Sequence, residues 1–463
     1  MILGEVFKRF AEKSPVTVMA RATLEYALPR HRIDELFRER AQKQYEDELL
    51  FSSVVDLLSL VVCSTHKSVN SAYKYKREEF TVSVESLYNK LKKTELAVSR
   101  ALVQETAKRL KPVIRSMKAT HKPLLSGWRV KILDGNHFTG TEHRLKETRV
   151  LHSSPLPGQA LVLLEPEYML MTDIVPCEDA HAQERRMLGQ VLDLLEAKDL
   201  LIADRNFCTT DFIFSLFDRK VDLVIRQHAS TLSGKELIGK RRRIGRSDHG
   251  VIYEQQLQIC GPDDRTLMLC RVTVELDKPT ENGETEVHLV TKLPKRIGAR
   301  RVAQLYLERW TIERAFHELE QALESEIATL CYPKAAVLVF SVAVLTYNIL
   351  STLKAALRAQ HGEEAVAEKL SGYYLADEIS IVYGGMMIAI PAARWAKAVR
   401  NVTPRQMGTL LKDLATHAKP ERFYKTSRGE KKPRPVRTGG LREKHVSTAR
   451  LLARRKLSST AQQ

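Results

Sequence analysis

Three acidic residues stand where a carboxylate can do chemistry. The segments ILDGN and IADRN place Asp134 and Asp204 where an apolar run gives way to a turn. A carboxylate at the end of a buried strand has its backbone held at the sheet's edge, where open α/β sheets bind their ligands. Strand-end Asp residues also cap the turn that follows, so either one alone has a plainer explanation. The third lies in YLERWTIERAFHELE, where Tyr306, Arg309 and Glu313 share one line of a helix; at 100° per residue they span an arc of about 60°. A phenol, a guanidinium and a carboxylate along that line can hold a metal and an adjacent phosphate. Taken without the two Asp residues, Arg309 and Glu313 would be an i,i+4 surface pair worth about 0.3–0.5 kcal/mol. Three carboxylates converging on an open site favour hard, oxygen-seeking ions, which implies Mg2+ or Mn2+.

These residues need an α/β framework, and the pattern provides one. WRVKILDGNHF predicts a strand in which Trp128, Val130 and Ile132 share a side, with Asp134 on the same parity at its end. ALVLLEPEYMLMTDIVP predicts a hairpin turning around Glu165 to Glu167, and 180–198 an amphipathic helix with Met187, Leu188, Val191, Leu194 and Leu195 inward. DLLIADRNF is a continuous apolar run, the mark of a strand buried on both faces. A helix at 210–219 leads to a further strand, VDLVIR, and the alternation argues for an α/β sheet. Residues 233–292 are β-rich and irregular and read as an insertion. A single long helix is expected over 300–323, with Leu305, Ile312, Phe316 and Leu319 seating it.

The chain before this domain is helical in pattern and nearly free of Gly. Pro29 breaks it, 49–62 is an apolar helix, and SVESLYNKLKK is a short basic helix for which Ser83 is the natural N-cap. That pair suggests a helix-turn-helix-like unit offering Asn89, Lys90, Lys92 and Lys93 to DNA, although Lys-rich surface helices are also common. The expected division is therefore 1–125 helical and DNA-binding, 126–232 first part of the catalytic core, 233–292 insertion, 293–360 second part of the core, and 361–463 helical with a basic tail, extended or partly disordered beyond about residue 419.

The combination resembles the IS4-family bacterial insertion-sequence transposases of the DDE class, whose core is RNase H-like. Asp134–Gly135 matches the first Asp with its Gly, Asp204–Arg205 the second Asp with its Arg, and Tyr306, Arg309, Trp310 and Glu313 the signature Tyr-x2-Arg-x3-Glu-x6-Lys with its neighbouring Trp. TEHRLKETR, LPGQALVLLEPEY, PCEDAHAQER and the helix bearing Tyr347 and Asn348 extend the likeness over roughly residues 87–353. One position departs: the signature's Lys falls on Glu320. The resemblance implies two metal ions held by Asp134, Asp204 and Glu313, which cut the ends of the element and join them to target DNA. It also implies a homodimer on paired ends.

Charge fits that expectation. Lys and Arg number 74 against 56 Asp and Glu, a formal net charge of +18, and each cation set on a phosphate releases condensed counterions. Candidate DNA contacts are Arg205, Tyr306, Arg309, Trp310 and the basic run Lys240, Arg241, Arg242 and Arg243. Further basic runs lie at 295–301 and 431–437, and any of the runs could equally be solvated surface. Six scattered cysteines form no zinc-spaced cluster. The N-terminus lacks the apolar core of a signal peptide, and the apolar stretch 335–350, interrupted by Ser341, Thr346, Tyr347 and Asn348, reads as a buried helix rather than a membrane span. A bacterial, cytoplasmic, nucleoid-associated protein with no membrane partner is expected. The competing readings are an RNase H-like host nuclease and a decayed or domesticated transposase that only binds DNA.

Overall fold

The computed structural model describes residues 4–44, 48–228, 232, 235–261, 264–280, 283–366, 369–426 and 446–460. Seven helices come first: α1 Glu5–Lys13, α2 Pro15–Ala27, α3 Arg30–Arg40, α4 Phe51–Val62, α5 Val69–Tyr75, α6 Val84–Lys93 and α7 Leu96–Ser116. Pro29, with extended backbone, separates α2 from α3, since a proline favours extended backbone in the residue before it and removes a helical donor. Ser83 caps α6 as its pattern predicts, its side chain accepting from the Ser86 N–H at 3.2 Å. Lys90 and Lys92 of that helix lie over the rings of Phe37 and Tyr332, so two of the four residues offered to DNA are partly engaged within the fold.

The strands are β1 Arg129–His137, β2 Pro155–Leu156, β3 Gln159–Glu165, β4 Leu170–Cys177, β5 Asp199–Ala203, β6 Asp222–Gln227, β7 Glu236–Ser247, β8 Gly250–Cys260, β9 Thr266–Leu276 and β10 Glu286–Thr291. Nine of them make one mixed sheet in the order β4-β3-β1-β5-β6-β10-β9-β8-β7. Pairing is antiparallel on the β4-β3-β1 side and parallel from β1 through β5 to β6. The expected mixed α/β sheet with a helical N-terminal region is thus present. The β-rich stretch is joined directly to it, because β10 pairs antiparallel with β6.

Each face of the sheet carries its own core. Val130, Ile132, Val162, Ile202 and Val224 face the N-terminal helices together with α10 Ala299–Leu307, α11 Trp310–Ala322 and α12 Pro333–His361. Leu133, Leu161, Leu201, Leu223 and Ile225 face the short α8 Leu188–Leu192 and α9 Thr210–Asp218. The apolar stretch read as a core helix is α12. Among the described residues it is the single helix long and apolar enough to cross a membrane, and 94% of its apolar window is buried inside the protein. Asn348, polar within that run, donates to Met171 O at 2.8 Å and accepts from Met171 N at 2.9 Å. β4 is the outer strand of the sheet, so this amide supplies partners that no further strand offers.

Two helix expectations need correction. Only Leu188–Leu192 of 180–198 is α-helical, preceded by a 3-10 turn over Glu184–Met187, although Met187, Leu188, Val191 and Leu195 are buried as the periodicity required. The helix expected over 300–323 divides into α10 and α11 at Glu308 and Arg309. Backbone bonds there close over three residues, as in Arg309 N to Tyr306 O at 3.0 Å and Ile312 N to Arg309 O at 3.2 Å, a local 3-10 tightening.

The C-terminal part is helical: α13 Glu363–Val366, α14 Gly372–Ala389, α15 Ala392–Val399 and α16 Pro404–Ala415, the last opened by a Thr403–Gln406 capping box. A final segment, β11 Val446–Ser447 and α17 Thr448–Thr460, returns to pair with β2 through β11, so this part of the tail is helical and docked rather than the extended arm its composition suggests. The basic run 431–437 lies outside the described residues.

Candidate active site

β1 and β5 run parallel, and β5 ends at Ala203 opposite Leu133. Beyond that point β1 continues to His137 against β3 alone, while the segment after β5 turns away at Asp204. Asp134 therefore sits inside β1, three residues before its end, rather than at the strand terminus that its sequence suggests. The effective edge is made by its neighbour's departure. Asp134 and Asp204 flank that notch, and both are half-buried.

α10 and α11 close the notch from above. Tyr306 donates its hydroxyl to Asp204 Oδ1 at 3.0 Å. Arg309 Nη1 reaches Asp134 Oδ2 at 3.0 Å and Glu313 Oε1 at 2.6 Å. Tyr306 and Arg309 of the predicted helix line thus reach the two strand carboxylates, and Glu313 is joined to them through Arg309, despite the break between α10 and α11. The tightened turn keeps Arg309 in αR conformation, which preserves the common face.

The electrostatics follow from burial and crowding. Burial pushes the Asp134 carboxyl up to about 6, aided by Glu313 and Asp204 and opposed by Arg309 and the Gly135 N–H. Burial also raises the Tyr306 phenol, with Asp204 adding to it. Burial would lower Arg309, but Tyr306, Asp134, Glu313 and Asp204 outweigh it and hold the guanidinium firmly charged. Arg309 Nε is buried without a hydrogen-bond partner.

Among the described residues no three His, Cys, Asp or Glu side chains are arranged as ligands of one ion. One nitrogen of Arg309 contacts both Asp134 and Glu313, so the guanidinium stands where a cation would balance them. The donor set itself, carboxylate oxygens only, suits Mg2+ or Mn2+. Asp134, Asp204 and Glu313 would hold such an ion once Arg309 moves aside.

The other candidate DNA contacts are scattered. Arg205 pairs with Glu284 at 3.2 Å, and Arg226 shares the same carboxylate. Trp310 is 54% exposed, with the Arg309 guanidinium 5.1 Å from its ring centroid. Lys240, Arg241 and Arg242 lie on β7, the far edge of the sheet. Arg241 is paired with Glu286 at 2.7 Å and stacked on Tyr253, and Arg242 faces Glu254 at 3.6 Å. Two residues near the triad escaped sequence reasoning. Glu184 leans over Gly135, where a Cβ would meet its Oε1 at 1.8 Å. Glu326 accepts from Thr139 N beyond the end of β1. Glu184 falls within PCEDAHAQER, one of the segments that carry the resemblance, but no role was read there; Glu326 lies in no recognisable spacing.

Residues 129–349 match the protein family described as Transposase DDE domain. The match begins with the first residue of β1, ends within α12 and includes Asp134, Asp204 and Glu313, and it supports a transposase of the DDE class. A cryo-EM structure of the piggyBac transposase synaptic complex with hairpin DNA is similar to 85% of this chain and 86% of that one, at 9% identity and a TM-score of 0.38, a likeness too slight to carry any argument. No curated protein matches the chain.

Proposed function

We propose that this protein is a DNA transposase of the IS4 type, which cleaves the ends of its own insertion sequence and transfers the strands to target DNA in the bacterial cytoplasm. The observation that carries this reading is the meeting of Asp134, Asp204 and Glu313 at one notch, crossed by a single buried guanidinium, inside a segment matching a DDE transposase domain. Asp134, Asp204 and Glu313 would hold the divalent cations, two in this reading, through their carboxylate oxygens, and the ions when bound would supply Lewis-acid activation of the attacking oxygen and stabilisation of the leaving one at phosphorus. Tyr306 orients Asp204 by donating to it, and Arg309, once displaced from Asp134 and Glu313, is placed to hold a phosphate. No side chain need form a covalent bond to DNA. Arg205, Trp310 and the β7 cations Lys240, Arg241 and Arg242 serve as further contacts to the duplex, and a homodimer brings two ends together.

The test is cleavage of the DNA flanking the gene by wild-type protein and by Asp134→Ala, Asp204→Ala and Glu313→Ala, with Mg2+ and with EDTA. Wild type cuts at the element boundary only with metal; each variant binds the ends and does not cut. Full cutting by any variant removes that residue from the metal site. Binding without any cutting by wild type favours the DNA-binding relic, for which Glu320 in place of the signature Lys is the motivating residue.

A further inference from the structure

The two strand carboxylates stand on chain segments that have just parted. The ladder between β1 and β5 ends at the pair Leu133–Ala203, so Asp134 and Asp204 lie where strand pairing no longer sets their separation. On the α10 side Tyr306 reaches Asp204. On the other face a single carboxylate spans the gap. Glu184 opens the 3-10 turn before α8. Its Oε1 takes the place that a Cβ on Gly135 would need, and its Oε2 accepts from Asn206 Nδ2 at 3.2 Å. Gly135 has the parity of Leu133, which faces α8, whereas Asp134 has that of Ile132 on the opposite face. Gly135 is not in the left-handed region, so glycine is required there for space and not for conformation.

Both ends of this brace are anchored. Gln159, the β3 residue in register with His137, donates to Asp179 O at 3.0 Å and to Ala182 O at 2.7 Å. The chain leading into Glu184 is thereby tied to the strand pair that carries Asp134. At the other end Arg185 Nε donates to Asn206 O at 3.1 Å, and Phe207 N donates to Asp204 O at 3.1 Å. Asn206 and Asp204 belong to one closed turn, and moving the first moves the second. Mg2+ demands near-ideal octahedral geometry, so two carboxylates that share an ion must stand at a set separation. We propose that Glu184 is a positioning residue that sets the separation of Asp134 and Asp204 by bridging Gly135 and Asn206. The inference rests on the transposase reading and adds to it a group that acts through another residue's carboxylate.

Mn2+ binding to the full-length protein, free of DNA, is measured by isothermal titration calorimetry, with the melting temperature in EDTA as a second reading. Asp204→Ala abolishes binding. Glu184→Ala and Asn206→Ala each weaken it by roughly tenfold, the low end of the effect of removing a group that orients a metal ligand. Glu184→Gln keeps the acceptor and binds as wild type does. Gly135→Ala, whose methyl displaces the Glu184 carboxylate, weakens binding to the same degree, and combining it with Glu184→Ala adds nothing further. A purely structural contact gives a different result: Glu184→Ala melts lower in EDTA and keeps wild-type affinity for Mn2+. That result, or a Glu184→Gln variant as weak as Glu184→Ala, overturns the brace and leaves the transposase reading standing, provided Asp204→Ala has lost the ion. Wild-type affinity in Asp204→Ala, or absence of binding to wild type, overturns the metal site and the brace with it.

Discussion

Two clusters of buried charge in this protein are built on opposite principles. Among the N-terminal helices, Arg21 of α2 pairs with Glu25 at 2.5 Å, and Lys76 pairs with Asp56 of α4 close by. Cations and carboxylates are matched there. Burial raises Glu25, with Arg21 opposing it; burial also pushes Asp56 up, but Lys76 and Arg21 outweigh it and hold that carboxyl below its ordinary value. At the notch, by contrast, one central guanidinium pairs with both Asp134 and Glu313, while Asp204 accepts from Tyr306. The first cluster gives each carboxylate its own cation, within α2 and between α4 and the end of α5, although Arg21 Nε, like Arg309 Nε, is left without a hydrogen-bond partner. The second sets two carboxylates on one cation, an excess of negative charge that fits the proposed cation site better than a structural ion pair.

The contrast can be broken by removing one carboxylate from each cluster. Glu25→Ala strands Arg21 in the core and is expected to destabilise by about 3–5 kcal/mol. Asp134→Asn relieves crowding and leaves the metal-free melting temperature equal or higher. Thermal unfolding of the two variants decides it: a loss of stability in both would mean that the notch is a structural network too.

Acidity sharpens the same point. The Asp134 carboxyl, raised to about 6 by burial, holds its proton more tightly folded than unfolded. Its contribution to stability is therefore complete below the unfolded value and declines as pH rises through about 6. A divalent cation needs the ionised form, so the rise in melting temperature on adding Mg2+ should be present near about pH 8 and nearly absent near about pH 5. An increment independent of pH would place the ion elsewhere. A smaller effect is expected from Tyr306→Phe, which deletes one hydrogen bond to the Asp204 carboxylate. Such bonds are worth about 1.5–3 kcal/mol, so cleavage should fall by roughly ten- to a hundredfold, and an unchanged rate would make the phenol a packing residue. Smallest of all is Glu320→Lys. That side chain is exposed, stability should stay within about 0.5 kcal/mol, and cleavage should be equal or improved; a large loss would show that Glu320 has a role of its own.

Sequence periodicity made much of this legible. β5 was readable because all five of its residues are apolar or buried by their partners, and the Tyr306–Arg309–Glu313 line because three- and four-residue offsets survive a tightened turn. The break at Glu308 was not, since nothing in LERW is a helix breaker. Nor was the short α8: the burial of Met187, Leu188, Val191 and Leu195 satisfies helical spacing whether or not the backbone between them is helical. The pairing of Arg205 with Glu284 joins residues far apart in the chain, and local pattern carries no record of such contacts. Asp134 showed its type and its neighbours but not its depth in the strand, because the edge it occupies is created by β5 leaving.

The joining of β10 to β6 has a mechanical side. From Asp204 to the basic edge strand β7, adjacent strands are joined by hydrogen-bonded ladders without an intervening linker, and the β7–β8 ladder is irregular between Ile238 and Arg242. Five such spacings make roughly 24 Å of stiff material. A load applied at Arg242, which is in register with Glu254, is therefore passed toward the notch through paired strands, whereas Arg241 stands in the irregular stretch that can give first.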